Sequence, residues 1–208
     1  MGRYTDAVCR LCRREGVKLF LKGSRCFTEK CAVDRRATVP GQHGAARPRL
    51  TEYALQLREK QKLKRIYGLM EGQFKQYFFI AERKEGITGE ALLVLLESRL
   101  DNVVYRAGFS VSRKQARMLV RQNHFKVNGA NVNIPSCQIH INDFIEVREG
   151  SKELIPVREA MDRVEARGIP DWLEVEQALF KVTVKGKPTK EVMALPVNEQ
   201  LVVELYSR

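Results

Sequence analysis

No apolar run in this chain approaches the ~20 residues that span a bilayer. Its start, Met1-Gly2-Arg3-Tyr4-Thr5-Asp6, lacks the apolar core of a secretory signal. A membrane protein or a secreted one is therefore not expected, and the cytosol is the expected compartment. There is no internal repeat and no low-complexity tract, which sets aside solenoids and biased disordered segments. Acidic residues are in short supply, with 25 Asp+Glu against 37 Lys+Arg for a net charge of +12 over 208 residues. A surplus of that size favours a polyanionic partner. At 44% hydrophobic and 30% charged, the composition is otherwise that of an ordinary folded protein, long enough for one large domain or two small ones.

The deficit of acids is uneven. Residues 1–50 hold 12 Lys+Arg against 4 Asp+Glu, residues 51–100 hold 9 against 7, residues 101–150 hold 7 against 4, and residues 151–208 hold 9 against 10. An anionic partner should accordingly lie mainly on the amino-terminal part and the middle. Large aliphatics are sparse in the first 50 residues, which end in the turn-rich Thr38-Val39-Pro40-Gly41-Gln42-His43-Gly44. Something other than an apolar core must hold them.

Four of the five cysteines fall there. Cys9, Cys12, Cys26 and Cys31 spell C-x-x-C-x(13)-C-x(4)-C. In a cytosolic chain such clustering suggests a metal before it suggests disulfides. Two close pairs joined by a short loop can bring four thiolates together as the tetrahedron that zinc prefers. The bases around them (Arg10, Arg13, Arg14, Arg25, Lys30) favour the thiolate form. Four thiolates would equally accept an iron–sulfur cluster, and four cysteines without metal are the plain alternative. Apparent zinc affinities of about 10–16 kcal/mol would order a segment too poor in apolar residues to fold alone. The set is closed, so one structural zinc per chain is expected. Cys137 stands alone and is read as an inert buried thiol.

From Thr51 a helical pattern starts, with Leu50, Tyr53, Ala54 and Leu57 at i, i+3, i+4 and i+7, and runs to Gly68. Further helices are expected from Glu71 to about Arg83 and from about Glu90, separated by the Gly86–Gly89 break. Ser98 to Arg148 is the most legible stretch. Leu100, Val103, Val104 and Ala107 form an apolar stripe that ends at Gly108. Ser112 and Gln115 make a capping box for a helix over Arg113–Gln122, with Ala116, Leu119 and Val120 as its buried face. Phe125 and Val127 alternate into a tight turn at Asn128-Gly129. Short strands are expected at Ile139–Ile141 and Ile145–Val147, a helix at Val157–Arg167, and strands at Trp172–Glu176 and Phe180–Lys185. Asn198 to Tyr206 is compatible with either a strand or a capped helix.

Within this frame Arg113, Arg117 and Arg121 recur every four residues, flanked by Lys114 and followed by Lys126. From Ser112 to Lys126 there are five bases and no acid. A solvated helix face usually mixes both signs for i, i+4 pairing, so the one-sided charge points to RNA contact. The run Lys60–Arg65 is a weaker candidate, because Glu59 can pair with one of its bases. His43 is read as an RNA contact, since the cysteine set is already complete. His124 and His140 are read as satisfied structural histidines.

The run Ser98-Arg99-Leu100-Asp101-Asn102-Val103-Val104-Tyr105-Arg106-Ala107-Gly108-Phe109, the helix over Ser112–Val120, and Val127-Asn128-Gly129 resemble the S-four RNA-binding domain. Other segments extend the likeness over essentially the whole chain. These are Arg13-Arg14-Glu15-Gly16, Pro40-Gly41-Gln42-His43-Gly44, Leu57-Arg58-Glu59-Lys60-Gln61-Lys62, Arg65-Ile66-Tyr67-Gly68, Trp172-Leu173-Glu174-Val175, Asn198-Glu199-Gln200-Leu201 and Glu204-Leu205-Tyr206. Together they are similar to the uS-four family of bacterial small-subunit ribosomal proteins. That resemblance implies binding to the 5′ domain of small-subunit rRNA at a multi-helix junction and nucleation of subunit assembly. It also implies a place beside ribosomal protein five where mRNA enters, an influence on decoding accuracy and, in some members, repression of the chain's own mRNA. The protein would act as a monomer within the ribosome.

The fold expected is α+β: a metal-tied irregular amino-terminal segment (1–45), a helical domain (46–97, completed by 186–208) and an inserted S-four domain with its β extension (98–185). In that domain a helix–turn–helix precedes a small antiparallel sheet. The carboxy-terminal segment should return as a helix. Some family members lack the cysteines, so metal is not needed for the shared function. Candidate RNA contacts are Arg3, Tyr4, Arg10, Arg13, Arg14, Arg35, Arg36, Gln42, His43, Arg47, Arg49, Arg58, Lys60, Lys62, Lys64 and Arg65 in the first half. In the S-four domain they are Ser112, Arg113, Lys114, Arg117, Arg121 and Lys126.

Two rivals remain. S-four domains are also appended to RNA-modifying enzymes, and Arg99-Leu100-Asp101 superficially resembles the aspartate motif of pseudouridine synthases. Here it sits in the first helix of the binding module, and no separate catalytic domain of ~200 residues remains. A zinc-dependent regulatory RNA binder is the other, disfavoured by the whole-chain likeness.

Overall fold

The computed structural model describes residues 2, 4–46, 49, 51–164, 168–189, 193 and 195–207. The chain divides into two compact units, one formed by residues 1–93 and 195–208, the other by residues 94–194. No helix among the described residues is long and apolar enough to cross a membrane.

The first unit opens with α1 (Cys9–Glu15), a 3₁₀ turn (Gly23–Phe27) and the single-turn α2 (Ala32–Arg35). Then come α3 (Glu52–Ile66), α4 (Glu71–Glu82) and α5 (Thr88–Glu97), whose end enters the second unit. Thr51 starts α3, its hydroxyl accepting the Ala54 amide at 3.3 Å, and Gly68 at φ 64 closes the exit from it. The buried face of α3 is Gln56, Lys60, Leu63 and Ile66. This corrects the stripe expected from Tyr53, Ala54 and Leu57, since Tyr53 is 55% exposed; Leu50 lies outside the described residues. Two polar side chains join the buried face because each finds a partner: Gln56 donates to Glu204 at 3.1 Å and Lys60 to Glu71 at 2.7 Å. An apolarity pattern cannot register such positions.

The last helix, α9 (Glu199–Tyr206), packs on α3. Asn198 caps it, accepting the Gln200 amide at 3.0 Å, and Glu59 in turn accepts the Asn198 amide at 3.0 Å. Tyr206 stacks on Phe78 at 4.5 Å and on Phe74 at 6.2 Å. Of the two conformations open to this segment, the helix wins because Val202 and Tyr206 have an apolar surface to cover.

The second unit contains α6 (Leu100–Arg106), α7 (Arg113–Arg121), α8 (Ile155–Met161) and an antiparallel sheet. Its strands are β1 (Phe125–Val127), β2 (Ala130–Asn131), β3 (Phe144–Val147), β4 (Leu173–Glu176) and β5 (Lys181–Val184), in the order β2-β1-β3-β5-β4. Asn128 (φ 50) and Gly129 (φ 80) form the two-residue loop that sets Val127 opposite Ala130, as hairpin turns with two left-handed central residues do. Phe125 pairs with Val147, and Ile145 with both Val127 and Val182. One core joins Leu100, Val103 and Val104 of α6, Ala116, Leu119 and Val120 of α7, and Phe125, Ile145, Val182 and Trp172 from the sheet side. Gly108 ends α6 at φ 90, where an added Cβ would lie 2.0 Å from Val164 Cγ2.

The strand expected at Ile139–Ile141 is absent. Gln138 forms an isolated bridge to Arg99, and Ile139 donates its amide to Ser98 O at 2.8 Å. Ile139 thus spends its amide on the α5–α6 linker, and His140 spends its own on Asp143 Oδ2 at 2.7 Å. The carboxy-terminal part of the helix expected at Val157–Arg167 lies partly outside the described residues, and α8 ends at Met161.

Candidate RNA-binding surface and cysteine corner

Ser112 starts α7, its hydroxyl accepting the Gln115 amide at 3.3 Å. The Gln115 side chain accepts in return from Val111 N–H at 2.7 Å, one residue before the cap. This local geometry sinks Ala116, Leu119 and Val120 into the core and decides where the basic residues emerge.

They do not emerge together. Arg117 is buried and donates to Asp101 Oδ2 at 3.2 Å. Arg113 donates to Asn102 Oδ1 at 2.7 Å, lies 3.7 Å from Glu97 Oε1, and holds its guanidinium 4.5 Å from the Tyr105 ring centre. Arg99, fully buried, places its fork on Asp101 at 3.1 and 2.9 Å, and Arg106 places its own on Glu97 at 3.0 and 2.8 Å. The expectation of a solvent-facing stripe at Arg113, Arg117 and Arg121 is therefore corrected. Two of the three turn back onto carboxylates of the preceding helices, Glu97 at the end of α5 and Asp101 in α6, outside the window in which no acid was found. The solvent face of α7 carries Lys114, Met118 and Arg121 at i, i+4 and i+7. Among the described residues, arginines 99, 106, 113 and 117 thus converge on the carboxylates Glu97 and Asp101. Ser112 is buried at the cap, and Lys126 is half-buried with its ammonium 3.8 Å from Glu146.

In the first unit the bases of α3 are likewise engaged. Arg58 and Arg65 share Glu15 Oε1, Lys60 and Lys64 share Glu71, and Lys62 pairs with Glu59. The Glu15 side chain is wholly enclosed, and burial raises its pKa against the pull of Arg65 and Arg58. Burial also acts on Glu71, but hydrogen bonds from Lys60, Lys64 and Tyr206 outweigh it and hold the carboxyl at about 2. Arg58 and Arg65 thus clamp α3 to α1, and Lys60 and Lys64 clamp it to α4, before they offer anything outward. Arg13 binds Thr38 O at 3.0 Å and steadies the loop that follows α2. Tyr4, Arg10, Arg14, Arg35, Arg36, Gln42, His43 and Arg49 are exposed. Of these, the arginines make no ion pair among the described residues. Arg3 and Arg47 lie outside the described residues. His124 meets Ser151 at 2.9 Å, and burial, aided by Arg148, lowers its pKa.

The cysteines gather around α1. Cys12, Cys26 and Cys31 are buried, Cys9 is half-buried, and all are free thiols. Burial pushes the Cys12 and Cys26 thiols up, and neighbouring thiols of the same set add to this. The backbone at Leu19 and the Lys22 amide, 3.3 Å from Cys26 Sγ, act the other way. Among the described residues no group of three or more His, Cys, Asp or Glu stands at metal-holding geometry. The donor chemistry nonetheless fits a thiophilic metal: four thiols from α1, the 3₁₀ turn and the start of α2, with a backbone N–H already directed at one sulfur.

Comparison with known proteins joins these features. Residues 3–97 match the model of the ribosomal protein S4/S9 N-terminal domain, and residues 98–145 match the S4 domain. The small ribosomal subunit protein uS4 of Desulfovibrio desulfuricans is 58% identical over 208 residues, covering all of both chains. The proteins of that name from Desulfosudis oleivorans and Geobacter sulfurreducens are 57% and 55% identical, again over the full length of both chains. Likeness of that extent leaves no part of the chain for a separate catalytic domain. The chain belongs to the uS4 family of small ribosomal subunit proteins, a structural and non-enzymatic family.

Proposed function

We propose that this chain is a primary rRNA-binding component of the small ribosomal subunit. In this reading it grips the 5′ domain of the rRNA, nucleates assembly, and contributes to decoding accuracy beside ribosomal protein five where mRNA enters. Its own mRNA is a second RNA ligand in the same reading. The observation that carries it is full-length identity above half to uS4 proteins, joined to exposed arginines and lysines that the fold itself does not use. Arg10, Arg14, Arg35, Arg36 and Arg49 in the first unit, with Lys114 and Arg121 on α7, suit phosphates and 2′-hydroxyls of folded RNA. Tyr4, Gln42 and His43 supply uncharged contacts.

The same reading includes one structural zinc per chain on Cys9, Cys12, Cys26 and Cys31, with an iron–sulfur cluster as the alternative occupant. The metal would supply cross-linking of a segment that has little apolar core of its own.

Binding of a 5′-domain transcript across a salt series tests the RNA reading. Lys114→Gln with Arg121→Gln should lower the slope of log K against log salt by about 1.5, at ~0.7–0.9 per phosphate contact. Failure of the wild type to bind the transcript, or to co-sediment with small subunits at high salt, would overturn the reading.

A further inference from the structure

We infer that Phe20 and Phe27 form a stacking platform for an unpaired base of the RNA; the inference rests on the rRNA-binding reading and adds a site to it. Their rings stack on each other at 5.0 Å with 28° between planes, yet stay 36% and 64% exposed. Phenylalanine normally buries its ring, and the neighbouring Leu19 does so at 2% exposure. Phe20 also sits in the left-handed region at φ 51, a conformation a side chain with a Cβ rarely keeps unless the surroundings enforce it. Its neighbours supply the restraint: Leu19 before it is buried, and two residues after it the Lys22 amide donates to the buried Cys26 Sγ at 3.3 Å. Phe27 closes the 3₁₀ turn that contains Cys26, where the Thr28 amide returns to Arg25 O at 3.4 Å. Both rings are thus fixed by the cysteine corner and held at the surface.

The charge around the pair selects the occupant. Residues 18–30 carry four bases, Lys18, Lys22, Arg25 and Lys30, against one acid, Glu29. Lys18 is taken by Asp34 at 2.6 Å, while Lys22, Arg25 and Lys30 are exposed. A flat aromatic surface in a basic setting suits a ligand that is itself flat and carries phosphates, which is a nucleotide. Bases inside a helix present no free face, so the target is a loop or bulge nucleotide. Stacking of this kind tolerates any base. Phe20 covers only part of the Phe27 ring, and the exposed remainder is where the base extends the stack.

The test uses the full chain and a 5′-domain rRNA transcript, titrated at several salt concentrations. Phe27→Leu keeps apolar bulk and removes the π face; Phe27→Trp keeps and enlarges it. Phe27→Leu should weaken binding about 5- to 140-fold, as loss of one base–aromatic stack does. The salt slope should stay that of the wild type, because no charge is lost. Phe27→Trp should bind at least as tightly as the wild type. Circular dichroism unchanged in both variants is expected from the exposure of the ring. Phe27→Leu binding as tightly as the wild type would overturn the platform and leave the RNA reading intact. So would weakening that comes with a reduced slope, or a Phe27→Trp as weak as Phe27→Leu. A wild type that does not bind the transcript removes the RNA reading and this site with it.

Discussion

Asp101→Asn removes one negative charge and almost no volume, from a carboxylate that is 5% exposed and accepts three hydrogen bonds. The substitution leaves the fully buried guanidinium of Arg99 and that of Arg117 facing a neutral amide whose NH₂ competes as a donor. Breaking a buried pair in this way costs about 3–5 kcal/mol. A domain of this size loses ~4–8 °C per kcal/mol, so its transition should fall by at least ~12 °C. Trp172, the chain's single tryptophan, lies in the core of the second unit. Its fluorescence during denaturation therefore reports that unit alone. Arg117→Gln should cost about 1.5–3 kcal/mol, as loss of a hydrogen bond to a charged group does. Arg121→Gln, on the solvent side of the same helix, should stay within ~0.5 kcal/mol. A double-mutant cycle between Asp101 and Arg117 should return a coupling of about 0.5–3 kcal/mol. If Asp101→Asn shifts the midpoint no more than Arg121→Gln does, the Asp101 pairs are not what holds α6 to α7, and Arg117 is not spent on the fold.

Other outcomes follow from the same geometry. Gly108→Ala puts a Cβ onto Val164 in a left-handed backbone and should destabilise the second unit by at least ~1–3 kcal/mol, read by the same fluorescence. Glu71 has a folded pKa of about 2, below the ordinary ~4.3 of an unfolded glutamate, so its contribution is whole above ~4.3 and is lost as pH falls towards 2. Amide exchange over α3 and α9 should quicken in that window, and Glu71→Gln should flatten the dependence. No change on substitution would mean that solvent screens the half-exposed carboxylate entirely. Cys26→Ser should abolish metal uptake, measured by elemental analysis, and leave the Trp172 transition unmoved. Wild-type protein prepared under reducing, anaerobic conditions and found free of zinc and iron would refute the metal reading.

Much of the second unit is legible from residues because its signals are local. The stripe over Leu100–Ala107, the Ser112 cap and the Asn128-Gly129 turn each act within a few positions. What escaped the sequence depends on partners elsewhere. Arg113 and Arg117 look like free charge until Glu97 and Asp101 are brought against them. The buried face of α3 stays hidden because Gln56 and Lys60 enter it only through Glu204 and Glu71. Ile139–Ile141 alternates like a strand, but the Ile139 amide bonds to the α5–α6 linker and the His140 amide to Asp143. Phe20 and Phe27 give no periodic signal; only a left-handed φ and exposed rings set them apart.

The pairing of α3 with α9 has a consequence for synthesis. Gln56 and Glu204, which hydrogen-bond across that pair, are 148 residues apart. At ~5–20 residues per second, α3 emerges roughly 7–30 s before its cover exists. Over that interval Phe74 and Phe78 lack the Tyr206 ring that will stack on them, whereas residues 94–194 have been made in full before α9 appears. The order of translation thus delivers the inserted unit first and closes the enclosing one last, so a ribosome stalled within residues 195–208 holds a nascent chain with an open apolar seam, the kind of surface that chaperones recognise.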